Sequence, residues 1–121
     1  MSLKAESSAV DADTITALRE DGSLLRELRD LFLTEAADQL SKMAEARRQS
    51  DGKALAMAAH RLKGSAVTFG AEELRRLCVE LEEAAKSGSF GDLEGRIQHV
   101  QAECDRVKLA LDEALSPTVL N

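Results

Sequence analysis

The sequence predicts an all-α protein: an antiparallel up-down-up-down four-helix bundle with a short extra helix at its N-terminal end. Apolar residues recur every three or four positions along most of the chain, and no segment shows the alternation of a half-buried strand. The single proline, Pro117, lies near the C-terminus, so no proline interrupts a helix before the last residues. With three Phe and neither Tyr nor Trp among 121 residues, the core must consist of aliphatic side chains, which favours closely packed helices.

Glycines mark the ends of the first three predicted helices. A short helix is predicted over residues 13–20, ended by Asp21-Gly22, and a third helix over residues 53–69, ended by Gly70. Between them, a long second helix is predicted over residues 23–49. Its apolar positions follow the helical spacing: Leu25, Leu28, Phe32, Ala36, Leu40 and Met43.

Two further helices complete the predicted bundle. The fourth begins with Glu72-Glu73, whose negative charge suits a helix N-terminus, and it ends at Gly88. The fifth covers residues 92–115 and repeats its apolar positions at alternating spacings of four and three. Cys78 and Cys104 lie on the apolar faces of these helices, so we expect both to be buried free thiols.

The helices define one domain over residues 11–115, with residues 1–10 and 116–121 predicted to be loose tails. The net charge of −6 and the lack of a basic stripe argue against binding to nucleic acid. No apolar run approaches the roughly 20 residues that span a bilayer, and the N-terminus lacks a signal pattern. We therefore expect a cytoplasmic protein that neither enters a membrane nor binds nucleic acid.

One histidine, His60, is predicted to face solvent, about 160° around the third helix from the core residue Leu62. A mid-helix glycine costs about 1 kcal/mol relative to alanine, yet Gly64 lies one turn after His60. This indicates that another molecule approaches closely there. The stripe around His60 is small or apolar apart from two lysines: Lys53, Ala56, Met57, Lys63, Gly64 and Val67.

The second histidine, His99, lies in a different setting on the polar side of the last helix, and we expect it to have no role beyond the surface. A di-iron site is also excluded by spacing. Such bundles carry a glutamate three residues before a histidine, but Met57 and Arg96 hold those positions. The sequence therefore predicts no metal ligands. The neighbours expected around His99 are polar: Arg96, Glu103 and Arg106.

The chemistry that suits His60 is nucleophilic, because an imidazole attacks through a nitrogen that carries no proton. An acceptor on the other ring nitrogen would fix the tautomer, and Glu82 of the next helix comes level with His60. Glu82 could instead pair with Lys86, four residues later. Lys63, three residues after His60 on the same helix face, would supply a fixed cation beside the imidazole, or it would be a solvated surface lysine. We expect Ser65 to have a structural role.

The run His60-Arg61-Leu62-Lys63-Gly64-Ser65-Ala66, followed by Phe69-Gly70-Ala71, resembles the signature of the histidine-containing phosphotransfer (HPt) domains of phosphorelays. The similarity extends to Leu31-Phe32-Leu33 in the second helix and to Leu81-Glu82 in the fourth. It thus covers roughly residues 11–115. The resemblance implies a four-helix bundle that accepts a phosphoryl group on a histidine from the aspartyl phosphate of a receiver domain. The domain then passes that group to another receiver.

Carried over by position, the resemblance implies that His60 is the phospho-acceptor and that Lys63 screens the phosphate. Gly64 would leave room for the receiver, and Glu82 takes the place where relatives often have a glutamine or glutamate bonded to the histidine. The docking patch would include a specificity contact beside apolar residues: Arg61 next to Ala56, Met57 and Val67.

The implied partners are response-regulator receiver domains and a hybrid histidine kinase. Magnesium and most catalytic groups belong to the receiver, so no cofactor is expected and the domain is a phosphoryl carrier rather than an enzyme. Two alternatives remain open. The chain could be a P1-like phospho-acceptor domain of a chemotaxis-type kinase, or a helical interaction module that carries no phosphate. The exposed face around His60 leads us to expect a monomer.

Overall fold

The computed structural model describes residues 8–116 and confirms the all-α prediction, since these residues form helices, turns and no strand. The long helices α2 to α5 build the bundle, and the short α1 precedes them. Each helix begins and ends within one residue of its predicted bounds. A 3₁₀ turn over Phe90–Asp92 leads into the last helix. The helices are α1 (Ala12–Arg19), α2 (Gly22–Arg48), α3 (Gly52–Thr68), α4 (Glu72–Ser87) and α5 (Leu93–Leu115).

Aspartates fix the beginnings of the first three helices. The carboxylates of Asp11, Asp21 and Asp51 each accept a backbone N–H of the first turn, which satisfies donors that have no partner within the helix. At the C-terminal end of α4, Gly88 adopts a left-handed conformation with φ +79°. Local sequence chemistry therefore sets the helix lengths, and packing sets their arrangement.

The bundle is a closed ring in which each long helix packs against two neighbours. Helix α3 lies between α2 and α4, and α5 closes the ring on the opposite side. Phe32 of α2 meets Phe69 edge to face, with ring centroids 5.8 Å apart. The remaining core is aliphatic, as predicted, and its fully buried members include Leu25, Met43, Leu55, Leu62, Leu74, Leu81, Leu93, Val100, Val107 and Leu111.

The turn between α3 and α4 is tight because Gly70 has a φ of +61°. The backbone N–H of Asp11 donates to the carbonyl of Phe69 at 2.9 Å, which holds the start of α1 against this turn. A Cβ at position 70 would lie 2.4 Å from Cβ of Asp11. Any side chain there would therefore clash, which gives Gly70 the structural role that the sequence predicts.

Outside the surface around His60, two predictions about burial are wrong. Glu103 was expected on the polar side of α5, but it is buried, and both of its carboxylate oxygens accept from Nη1 of Arg106 at 2.8 Å. Ala9 was expected in a loose tail, but it packs into the core, so ordered packing begins before Asp11. Residues 1–7 and 117–121 of the predicted tails lie outside the described residues.

The two cysteines are buried and free, as predicted. Burial raises the pKa of the Cys78 thiol and that of the Cys104 thiol, each to about 12. Both thiols are therefore protonated at neutral pH and act as small apolar side chains. Within residues 8–116, no helix combines the length and the apolar character needed to cross a bilayer.

Candidate functional site

His60 stands near the middle of α3 on its outer surface, where 61% of the side chain is exposed. The opposite face of the same helix carries the core residues Leu62 and Ala66, both fully buried. Small and apolar residues on the inner face dock α3 into the bundle, and this docking fixes the direction in which His60 points. The sequence prediction for its orientation is thus confirmed.

Glu82 of α4 reaches His60 from the neighbouring helix. The tight turn at Gly70 folds α4 back along α3, which brings the two side chains level. Both carboxylate oxygens of Glu82 lie 3.3 Å from Nδ1 of His60. The Glu82 side chain is only 14% exposed, so it approaches from the floor of the site rather than from solvent. Nδ1 is therefore occupied, and Nε2 is the ring nitrogen that remains open to an incoming group.

Two lysines approach the same carboxylate. Lys86, one turn later on α4, places Nζ 3.1 Å from Oε2 of Glu82. Lys63 of α3 places Nζ 3.9 Å from Oε1, at the edge of ion-pair distance. The two alternatives for Glu82 therefore hold together, because this carboxylate contacts His60 and also pairs with Lys86.

The charge state of Glu82 follows from these contacts. Partial burial pushes its pKa upward, but hydrogen bonds from Lys86 and His60 outweigh burial and hold the pKa below the ordinary value. Glu82 is therefore an ionised acceptor at neutral pH. An ionised acceptor favours the tautomer of His60 that carries its proton on Nδ1.

An open groove of about 610 Å³ runs between α3 and α4 beside His60. Its floor includes Ala56, which is 5% exposed, so the prediction that Ala56 lies on the exposed stripe is wrong. Helix α4 covers this position, which a helical wheel of α3 alone does not show. Ala85 and Lys86 also line the groove and were not predicted as docking residues. The full lining is Lys53, Ala56, Met57, His60, Arg61, Glu82, Ala85 and Lys86.

The surface around the groove consists of exposed apolar residues and of empty space above Gly64. Met57 is 53% exposed and Val67 is 61% exposed, as the sequence predicts. A Cβ at Gly64 would find no atom within 4 Å, so the space above this residue is empty. On α2, Leu31 is 65% exposed and lines a smaller groove shared with Ser65 of α3. Leu31 lies off the apolar stripe of α2, which is the signal that could have identified it.

The remaining predicted residues occupy the positions expected of them. Arg61 is exposed and borders the groove, and Ser65 is half-buried. His99 is exposed on α5, the helix that does not pack against α3. In the part of the chain that the structure describes, no group of three His, Cys, Asp or Glu side chains could hold a metal ion.

Comparisons with known proteins show which family the chain matches. A sequence model described as the Hpt domain matches residues 27–116. Histidine-containing phosphotransfer protein 2 of Arabidopsis thaliana is 28% identical over 101 residues, which is 79% of this chain and 65% of that protein. Phosphorelay protein LuxU of Vibrio cholerae is 36% identical over 73 residues, which is 60% of this chain and 65% of that protein.

The fold itself has a solved counterpart. The crystal structure of histidine-containing phosphotransfer protein B (HptB) from Pseudomonas aeruginosa PAO1 superposes with a TM-score of 0.79 at 26% identity. The superposition covers 87% of this chain and 92% of that one. In contrast, this chain spans 65% of the length of each of the two curated relatives.

Proposed function

Because the chain belongs to the Hpt domain family, we propose that it is a phosphorelay intermediate that carries a phosphoryl group on His60. The observation that carries the proposal is the pairing of His60 Nδ1 with Glu82 at 3.3 Å. This pairing leaves Nε2 of an exposed imidazole as the nucleophile. The names of the relatives, a histidine-containing phosphotransfer protein and a phosphorelay protein, support the same assignment.

In the accepting step, the lone pair on Nε2 attacks the phosphorus of an aspartyl phosphate in a receiver domain. The P–N bond forms, the P–O bond to the aspartate breaks, and the electron pair stays on the released carboxylate. Positive charge develops on the ring, and the hydrogen bond from Nδ1 to the ionised Glu82 stabilises it, as a carboxylate does for histidine in hydrolase triads. The reverse step delivers the phosphoryl group to the aspartate of the next receiver.

Lys63 and Gly64 serve the same step in different ways. Lys63 is half-buried on α3, one turn after His60, and its ammonium reaches the edge of the Glu82 carboxylate. From there it can turn to the phosphoryl oxygens and offset their charge. The empty space above Gly64 lets the receiver's active site approach the histidine without meeting a side chain.

The docking face combines the groove with the exposed residues beside it. Met57 and Val67 supply apolar contact, Arg61 supplies a charged one, and Ala56 forms part of the groove floor. The proposed partners are receiver domains and a hybrid histidine kinase. Magnesium and the groups that activate the phosphate belong to the receiver, so the chain is a carrier rather than an enzyme. We further propose that it works in the cytoplasm as a monomer.

The test is phosphoryl transfer from a panel of magnesium-loaded receiver domains charged with acetyl phosphate, read by intact mass. We expect an acid-labile gain of one phosphoryl group on the wild type and on His99→Gln, which alters the other exposed histidine. His60→Gln should show none. If no receiver phosphorylates the folded wild type, the helical interaction module becomes the better assignment. Phosphorylation only by a kinase's ATP-binding domain would instead identify a P1-like domain.

A further inference from the structure

Lys86 holds a position that the carrier function described above does not use. Its ammonium lies 3.1 Å from Glu82 and belongs to the groove that opens beside His60. Glutamate four residues before lysine is the favoured order for such a pair on a helix. The side chain is 65% exposed, so burial does not explain why it lies here.

The ion pair between Lys86 and Glu82 offsets an unfavourable charge interaction within the site. A carboxylate beside His60 favours the protonated Nδ1, but the same charge repels the anionic phosphoryl group that must arrive at Nε2. A neutral acceptor would avoid the repulsion, yet this chain has an ionised glutamate. A cation fixed to Glu82 removes most of the repulsion and keeps the hydrogen bond to His60.

Lys86 also affects which cation Glu82 captures. Nζ of Lys86 lies 3.1 Å from the carboxylate and Nζ of Lys63 lies 3.9 Å from it. Without Lys86, the carboxylate would draw Lys63 closer, because Lys63 would be the nearest remaining lysine. A lysine held by Glu82 is less available to the phosphoryl oxygens.

From this geometry we infer that Lys86 is a positioning residue for phosphoryl transfer, which acts through Glu82 and rests on the carrier function proposed for His60. It neutralises the carboxylate that orients the histidine and leaves Lys63 free for the incoming phosphoryl group. Lys86 makes no bond to phosphorus and exchanges no proton. Its effect is on the rate of the transfer step, not on docking of the receiver.

The experiment measures transfer from a phosphorylated receiver under single-turnover conditions, over a range of receiver concentrations. This separates the maximal rate constant from the concentration at half-saturation. For Lys86→Gln we expect the rate constant to fall by about two- to fivefold, the size expected of one partly exposed ion pair. The half-saturating concentration should stay unchanged, and Lys86→Arg should restore most of the rate.

Lys108→Gln is the matched control. Lys108 pairs with Asp112 on α5 at the same 3.1 Å and with similar exposure, on the helix that does not pack against α3. We expect its transfer kinetics to equal those of the wild type. A general effect of removing one surface lysine would slow both variants equally and would overturn the inference.

The decisive comparison uses Glu82→Gln as the background. If Lys86 acts through Glu82, adding Lys86→Gln to Glu82→Gln should change the rate constant by less than it does in the wild type. An undiminished effect would mean that Lys86 acts directly on the phosphoryl group or the receiver, and it would overturn the inference. A wild type that accepts no phosphoryl group would instead refute the carrier function, so the two failures remain distinct.

Discussion

Gly70 and Gly64 lie six residues apart in the same helical hairpin, and the fold requires only one of them. At Gly70 the backbone has a φ of +61°, and an added Cβ would lie 2.4 Å from Asp11. At Gly64 the backbone is helical, and an added Cβ would meet nothing within 4 Å. The first glycine is explained entirely by contacts inside the molecule.

Nothing inside the described molecule explains the second glycine. A helix would gain stability from alanine at position 64, so the absent side chain is a cost that the fold does not recover. The difference separates the residues around His60 into two groups. Those at the α3–α4 turn build the hairpin, and those on the outer face of α3 serve an interaction with another molecule.

The largest effect should come from His60→Gln, which tests the outer face alone. We expect complete loss of phosphoryl acceptance by intact mass, with the free energy of unfolding within about 0.5 kcal/mol of the wild type. The side chain is exposed, so its removal leaves no cavity. A large loss of stability would show that His60 is needed for the fold and does not serve only an interaction at the outer face of α3.

Gly70→Ala tests the turn. The left-handed backbone and the contact with Asp11 should together cost about 2–4 kcal/mol, measured by urea unfolding. Gly88→Ala is the matched control, because Gly88 has a φ of +79° but open space around it. It should cost only the backbone part, about 1–2 kcal/mol. Equal losses of unfolding free energy in the two variants would show that Asp11 moves away from the added Cβ at little cost.

Gly64→Gln should have the opposite effect on stability to Gly70→Ala. The free helix should gain up to about 1 kcal/mol of stability. Transfer from a receiver should slow by about tenfold, as expected of an overpacked contact. Ala102→Gln, an exposed change on α5, serves as the control and should leave transfer unchanged. Unimpaired transfer in Gly64→Gln would remove the argument for a close approach at this position.

The smallest effect concerns the pH dependence of stability through Glu82. The pKa of Glu82 in the folded protein lies below the ordinary value of 4.5. As the pH falls, the folded protein therefore binds fewer protons at this carboxylate than the unfolded chain does. The stabilisation, about 0.5 kcal/mol for a pair of this kind, is present at neutral pH. It is lost as the pH falls below 4.5 and through the folded-state pKa.

Unfolding of the wild type and Glu82→Gln at pH 7 and at acid pH measures this contribution. The difference between the two proteins should shrink on acidification. Glu113→Gln, an exposed change on α5, is the control for removing one surface carboxylate. A difference for Glu82→Gln that grows in acid would contradict the direction of the pKa shift.

The helices were predictable because their signals are local. Aspartates cap the first three helices, glycines follow α3 and α4, and apolar spacing runs along the helices, and the structure follows these signals closely. The orientation of His60 was predictable for the same reason, since it depends only on the geometry of its own helix. The contact of Asp11 with Gly70 joins distant parts of the chain, and no local pattern encodes it.

The error at Ala56 comes from the neighbouring helix, which a helical wheel leaves out. Ala56 faces outward on a wheel of α3, yet α4 covers it. Glu103 is a charged residue on a helix, yet its carboxylate is buried against Arg106. The two alternatives for Glu82 could not be separated from the sequence, because the distance between two helices decides whether one carboxylate reaches both His60 and Lys86.

The charges around the groove have a consequence for how a partner arrives. Beside the Lys86–Glu82 pair, three further cationic side chains lie around His60: Lys53, Arg61 and Lys63. The whole chain carries −6, so the remaining surface is more acidic than that total suggests. A negatively charged protein diffusing nearby is repelled from most directions and attracted from one. The charge distribution therefore orients an approaching acidic protein before the two surfaces are in contact. Because dissolved salt screens long-range charge interactions, this orientation should weaken as the salt concentration rises.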